Sequence, residues 1–370
     1  MIIKDYIQKN PFRVMGVFTN DSANILSSNH SRMKAFAAIG KDVAFSQDMV
    51  SVFGTKPNRH ADALATSIAA ISSPEDRMCY GLFWFMNLTA TDVKALAALA
   101  RDGNLLEARH IWEEGEQNMS SLQNQLMCCL LKDPRSYSKA LQLALSLYTK
   151  YAHEFILTVC NGFNTITPDA LMPTFLAEIV KASDGKCMWW DKAVRRSCNK
   201  ALGQLWSEAK ATLHISKLQN ALNVAKTTEI HSTQDNYDIA VRLMQQAEPH
   251  LKALKQLKEE YPLLLSRYAT IADAVCEETL NREIEYYNHT GWGYKLTARS
   301  LVLERFCYRY AATIRFKDRC KFNINITMGR KKNAPLFPNG MPDNLVFESD
   351  RKKRNAGIGA IVSALINDNE

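Results

Sequence analysis

The sequence predicts an all-α protein, and three observations carry that reading. Glycine (15) and proline (11) make up about 7% of the 370 residues, against a usual combined share of roughly 12%. A sandwich, barrel or propeller needs Gly/Pro-rich turns about every 8–12 residues, so those classes are disfavoured. Apolar residues recur at three- and four-residue spacing, as in Leu96, Leu99 and Ala100 or Ala140, Ala144 and Leu147. Cap formers stand ahead of such runs: Ser22 before Ala23, Ser73 before Pro74, and Thr91-Asp92. With 46% apolar and 23% charged residues the chain is globular rather than disordered, and at roughly 150 residues per domain its length implies two to three domains.

Residues 1–90 hold the most informative strings. Asn10-Pro11-Phe12-Arg13-Val14-Met15-Gly16-Val17 begins with an extended X-Pro step, and Thr19 to Ser22 opens a helix from about Ala23. That helix carries Arg32, Met33, Phe36 and Ala37 and stops near Gly40. A polar loop, about Lys41 to Arg59, leads to a second helix from Ala61 to Ile71. Ser73-Pro74-Glu75-Asp76 opens a third, expected to carry Tyr80, Leu82, Phe83, Trp84 and Phe85. Phe12, Val14, Phe36, Tyr80 and Trp84 are read as core, with Arg13, Arg32, Lys34 and Lys41 as a basic face.

These strings resemble a divergent J-domain over about residues 8–87. Asn10 to Val17 is similar to the family's opening, an aromatic near a proline before a Leu-Gly-Val-like turn. Ala69-Ala70-Ile71-Ser72-Ser73-Pro74-Glu75-Asp76-Arg77, followed by Tyr80, is similar to its Leu-Ser-Asp-Pro-Glu-Lys-Arg stretch. The family stimulates a heat-shock ATPase chaperone through His-Pro-Asp in the loop between its long helices. Here that loop reads Gly40-Lys41-Asp42-Val43-Ala44-Phe45-Ser46-Gln47-Asp48-Met49, and the tripeptide is nowhere in the sequence. The resemblance therefore implies a J-like fold serving as a docking module.

From 91 to 327 the chain reads as successive helices. A turn at Arg101-Asp102-Gly103-Asn104 is followed by Leu105 and Ala108; Tyr137 and Ala140 repeat the pattern, and Tyr237 and Ala240 repeat it again. A leucine or aromatic three residues before an alanine resembles the second half of a tetratricopeptide repeat, where a small residue lets antiparallel helices approach. A repeat-like solenoid of helical hairpins and a non-repetitive bundle are both consistent with this pattern. Helices are expected over Leu296–Ile314 and Lys317–Ile326, with their aromatics inward or interleaved with arginine to stack bases.

Charge is uneven. Residues 295–354 carry fifteen Lys/Arg against five acids, more than the whole chain's net charge of +8. Such an excess attracts nucleic acid, an anionic surface or an acidic partner. The region 328–370 is read as an irregular basic tail with two clusters, Arg330-Lys331-Lys332 and Arg351-Lys352-Lys353-Arg354. It ends in an amphipathic stripe of Ile358, Ile361, Val362, Leu365 and Ile366 that is expected to dock as a short helix. These clusters and the stripe are the candidate partner-binding residues.

The sequence supplies no chemistry of its own. It has no phosphate-binding Gly-rich motif followed by Lys-Ser/Thr, and His153-Glu154 lacks a second histidine at Leu157. Nine cysteines, an odd number without a Cys-x-x-Cys pair, are read as reduced, which implies a cytoplasmic compartment. No apolar run approaches the roughly 20 residues of a membrane span. The expected function is a non-catalytic protein–protein interaction scaffold or chaperone-associated adaptor, without cofactor or metal. The alternative is a nucleic-acid-associated protein acting through 295–354.

Overall fold

The computed structural model describes residues 3–163, 166–290 and 294–328. Among these every regular element is a helix, and no helix is long and apolar enough to cross a membrane. The two basic clusters, Arg330 to Lys332 and Arg351 to Arg354, and the stripe from Ile358 to Ile366 lie outside the described residues. The chain divides after Lys210 into two compact units, and no division falls near residue 90, because side chains from both sides of that position hold the same buried segment.

The first unit contains α1 (Ile3–Gln8), α2 (Pro11–Val14), α3 (Ala23–Ala38), α4 (Val50–Phe53), α5 (Ala61–Ala69) and α6 (Pro74–Gly81). They are followed by α7 (Ala90–Asp102), α8 (Leu105–Glu114), α9 (Met119–Lys132), α10 (Tyr137–Lys150), α11 (Ala152–Val159), α12 (Leu171–Ala182) and α13 (Met188–Arg196). α14 (Lys200–Thr227) contains the division.

α9 is its central pillar, with every residue from Met119 to Leu131 buried. Among them are Ser120, Gln123, Asn124 and Gln125, each no more than 2% exposed, so their polar groups must be paired inside the protein. Gln123 Nε2 donates to the carbonyls of Leu82 (3.2 Å) and Trp84 (2.8 Å), and Asn124 exchanges two 2.9 Å bonds with the backbone of Met86. From the other side Asn10 Nδ2 donates to Tyr80 O and Phe83 O, and the backbone N–H of Thr19 donates to Phe85 O. Leu82 to Met86 thus run as a non-helical thread, each residue 0% exposed.

This corrects the helix expected to carry Tyr80 through Phe85. α6 ends at Gly81 because five consecutive large apolar residues cannot share one helix face, while side-chain amides offer their backbone other partners. Ala108 and Ala140 are 0% exposed. α7 packs on α8, α8 on α9 and α9 on α10; thereafter packing leaves chain order, with α10 against α13, α11 against α6, and α1 against both α9 and α12.

Gly103 shows how tightly the α7–α8 turn is set. Its φ is +68°, and a Cβ there would stand 2.4 Å from the carbonyl oxygen of Ser51, whose hydroxyl donates to Leu99 O and Ala100 O. Gly103→Ala is expected to destabilise the unit by about 1–3 kcal/mol, read as a lowered urea midpoint with unchanged helical circular dichroism in the native baseline.

The second unit is built on a long hairpin of α15 (Thr233–Glu260) and α16 (Leu265–His289), followed by α17 (Tyr294–Tyr310) and α18 (Ile314–Thr327). Ile239, Leu243, Ala247 and Leu251 of α15 meet Ile271, Val275 and Leu280 of α16 in one apolar core. The expected helix to Ile314 stops at Tyr310 instead. Asp273 of α16 takes the backbone N–H groups of Ala312 (2.6 Å) and Thr313 (3.2 Å), and the Thr313 side chain caps α18. Phe306 and Tyr310 face the core at 4% exposure, leaving Tyr308 outside. Arg309 pairs with Glu248 and Arg319 with Glu277, while Arg315, Lys317 and Lys321 are exposed.

Candidate functional site

The loop between α3 and α5 in the first unit is held by residues of the first string, Arg13 and Gly16. Arg13, read from sequence as part of a basic face, is 1% exposed. Its Nε donates to Asp48 O (2.9 Å), Nη1 to Gln8 O (2.9 Å) and Nη2 to Thr55 O (2.5 Å). The guanidinium lies 4.4 Å from the Phe53 ring centre, and burial brings Arg13 down to about 10, with Asp48 opposing and Arg59 adding to the fall. It remains a cation at neutral pH.

Arg59 completes the arrangement. It forms a two-pronged ion pair with Asp48, whose side chain is 3% exposed. It also donates to Val14 O (2.8 Å) and Val43 O (2.9 Å) and lies over Phe45 at 4.8 Å. Arg59 therefore holds the buried carboxylate of Asp48, and Arg13 holds its backbone carbonyl. Gly16, with φ +63°, lets the backbone pass Phe45, where a Cβ would come within 2.6 Å of the ring. Arg13 and Arg59 are thus occupied in holding the loop's carbonyls and the Asp48 carboxylate.

Above this floor are two open clefts that share Lys56, Pro57 and Asn58 as a common wall. One, of about 520 Å³, is bordered by Gln8, Lys9, Arg13 and Asp62. The other, of about 410 Å³, is bordered by Gly40, Lys41, Asp42, Arg59 and His60. Lys9, Lys41 and Lys56 make no ion pair among the described residues.

α3 runs beside the second cleft. Of its sixteen residues only Met33 is buried, and Asn29 ties it down by donating to Gly16 O at 2.8 Å. Arg32 reaches the rings of Phe36 and Phe45, at 5.8 and 5.6 Å. Arg32 and Lys34 are exposed, and no acidic residue stands between Ser22 and Lys41. A helix of this length is marginal on its own, so this one spends little of its surface on the core.

Elsewhere in the first unit, burial pushes the Cys160 thiol up to about 11 and the Cys187 thiol up to about 12, away from the thiolate form. Among the described residues no group of three or more His, Cys, Asp or Glu side chains could hold a metal ion. Sequence reasoning missed Asp48 and Lys56 and gave Arg59 and His60 no role. Asp48 and Arg59 are eleven residues apart, a spacing that belongs to no regular element, and only the loop's path brings them together. Set against protein-family models, curated proteins and solved structures, the chain matches none.

Proposed function

We propose that the protein is a non-catalytic interaction scaffold whose first unit recognises an acidic protein partner through α3 and the clefts beside it. The observation that carries this reading is α3 itself, a sixteen-residue basic helix with one buried side chain, next to three lysines without acidic partners. Exposed like charge steers and selects an oppositely charged surface more than it adds affinity. The J-like strings support a chaperone-associated role for that partner. The bundled hairpins of α7 to α10 supply packing, and no chemistry is asked of them.

The test is co-purification of the full-length protein from its native host at low and high salt, with a Lys34→Glu/Lys41→Glu variant in parallel. Both lysines are exposed, so the variant keeps its circular dichroism and melting profile. It is expected to lose a stoichiometric partner that the wild type retains at low salt and releases as salt screens the pair. Equal recovery by both proteins, or none by either, would exclude this face.

A further inference from the structure

The second unit buries two carboxyl groups that no part of the proposed function uses. Glu283 of α16 and Glu304 of α17 are each 2% exposed. Ser300, one turn before Glu304 and 0% exposed, is the polar neighbour of Glu283. Oε1 of Glu283, Oε2 of Glu304 and Oγ of Ser300 have no hydrogen-bond partner. The Thr327 hydroxyl, on the last residue of α18, donates to Glu304 Oε1 at 2.6 Å. Helices α16, α17 and α18 each contribute a buried polar residue here, and among the described residues neither acid makes an ion pair.

Two ionised carboxylates in such a place would pay for desolvation twice and repel each other. Protonation removes both costs. We propose that Glu283 and Glu304 are held as neutral acids and form a pH-operated latch on the end of α18. The latch is closed in acid and loosened as pH rises. It controls how firmly α18 anchors the chain just before Arg330-Lys331-Lys332.

The surroundings agree with that direction. Burial pushes Glu283 up to about 7, with Ser300 opposing. Burial first, and then the charge of Glu283, hold Glu304 well above the usual carboxylate range, against the pull of Thr327 and Arg305. Cys307 on α17 and Cys320 on α18 are titratable neighbours of the pair, and burial raises both, so these two stay neutral. Arg305 is the cation that acts on Glu304.

The sign follows from linkage. A carboxyl raised in the folded state costs nothing below the unfolded value of about 4.3. Stability is then lost as pH climbs from there through the folded value. Above neutral pH α18 is held less tightly.

Amide hydrogen exchange on the full chain at pH 5.5, 7 and 8.5, corrected for intrinsic rates, tests the latch. In the wild type, protection of α18 is expected to fall at least about tenfold across this range, while α15 keeps its protection. Glu283→Gln and Glu304→Gln should each remove most of that dependence, and Thr327→Val should loosen α18 already at pH 5.5. Flat protection in the wild type, or an unchanged slope in both glutamine variants, would overturn the proposal. So would recovery of α18 protection at pH 8.5 on adding calcium, manganese or zinc, if Glu304→Gln abolished it, because the pair would then belong to a metal.

Discussion

Asp92→Ala is expected to destabilise the first unit by about 3–5 kcal/mol, one of the two largest effects of any single substitution considered. Asp92 is 0% exposed and closes the start of α7 onto α8 and α9. Its carboxylate accepts from Trp112 Nε1 (2.8 Å), Ser120 Oγ (2.7 Å), Asn124 Nδ2 (3.0 Å) and the Thr89 hydroxyl and backbone N–H (2.9 Å each). Removing it strands several buried donors at once, and each unmet donor costs about 1–3 kcal/mol. The total is bounded by relaxation and entering water.

Asp92→Asn separates charge from shape. The amide fits the space but turns an N–H₂ toward donors, so most of the loss should remain. Urea denaturation followed by tryptophan fluorescence measures both, since Trp84 and Trp112 are buried beside the network. A loss under about 1 kcal/mol in Asp92→Ala would mean that the donors find other partners.

Arg59→Ala is the second, at about 3–5 kcal/mol. It leaves Asp48 buried without its ion pair and frees the carbonyls of Val14 and Val43. The informative comparison is with Asp48→Leu/Arg59→Met. Replacing both partners by apolar groups of similar size removes the orphaned charge, so the double variant should recover part of the stability that Arg59→Ala loses. Denaturant midpoints of the three proteins check this. If the double variant is as unstable as the two single losses combined, the carbonyl contacts of Arg59 outweigh its ion pair.

Both predictions concern residues whose role could not be read from neighbours in sequence. Arg77 is a clear case. From sequence it follows a helix-opening cap and looks like an exposed cation. In the fold it is 5% exposed and donates to Thr19 O, Asp21 O and Val159 O. Val159 is eighty-two residues away, and no local pattern encodes that pairing. The same holds for Gln123 and Asn124, polar residues that mark an exposed face in an ordinary amphipathic helix. Here they are buried because a thread of backbone needs partners.

What the sequence determined by itself was local: the all-α class, the helix starts at Ser22 and Ser73, and the turn at Gly103. Caps, glycine turns and apolar period act within a few residues, so they are legible in the chain. Only the tertiary structure decided that α6 ends before Leu82, that α9 is buried on every side, that Arg13 lies inside, and that Glu283 and Glu304 are both buried. Those outcomes depend on which distant group pairs a buried carbonyl, amide or charge. Leaving such a group unpaired costs more than local propensity can offset.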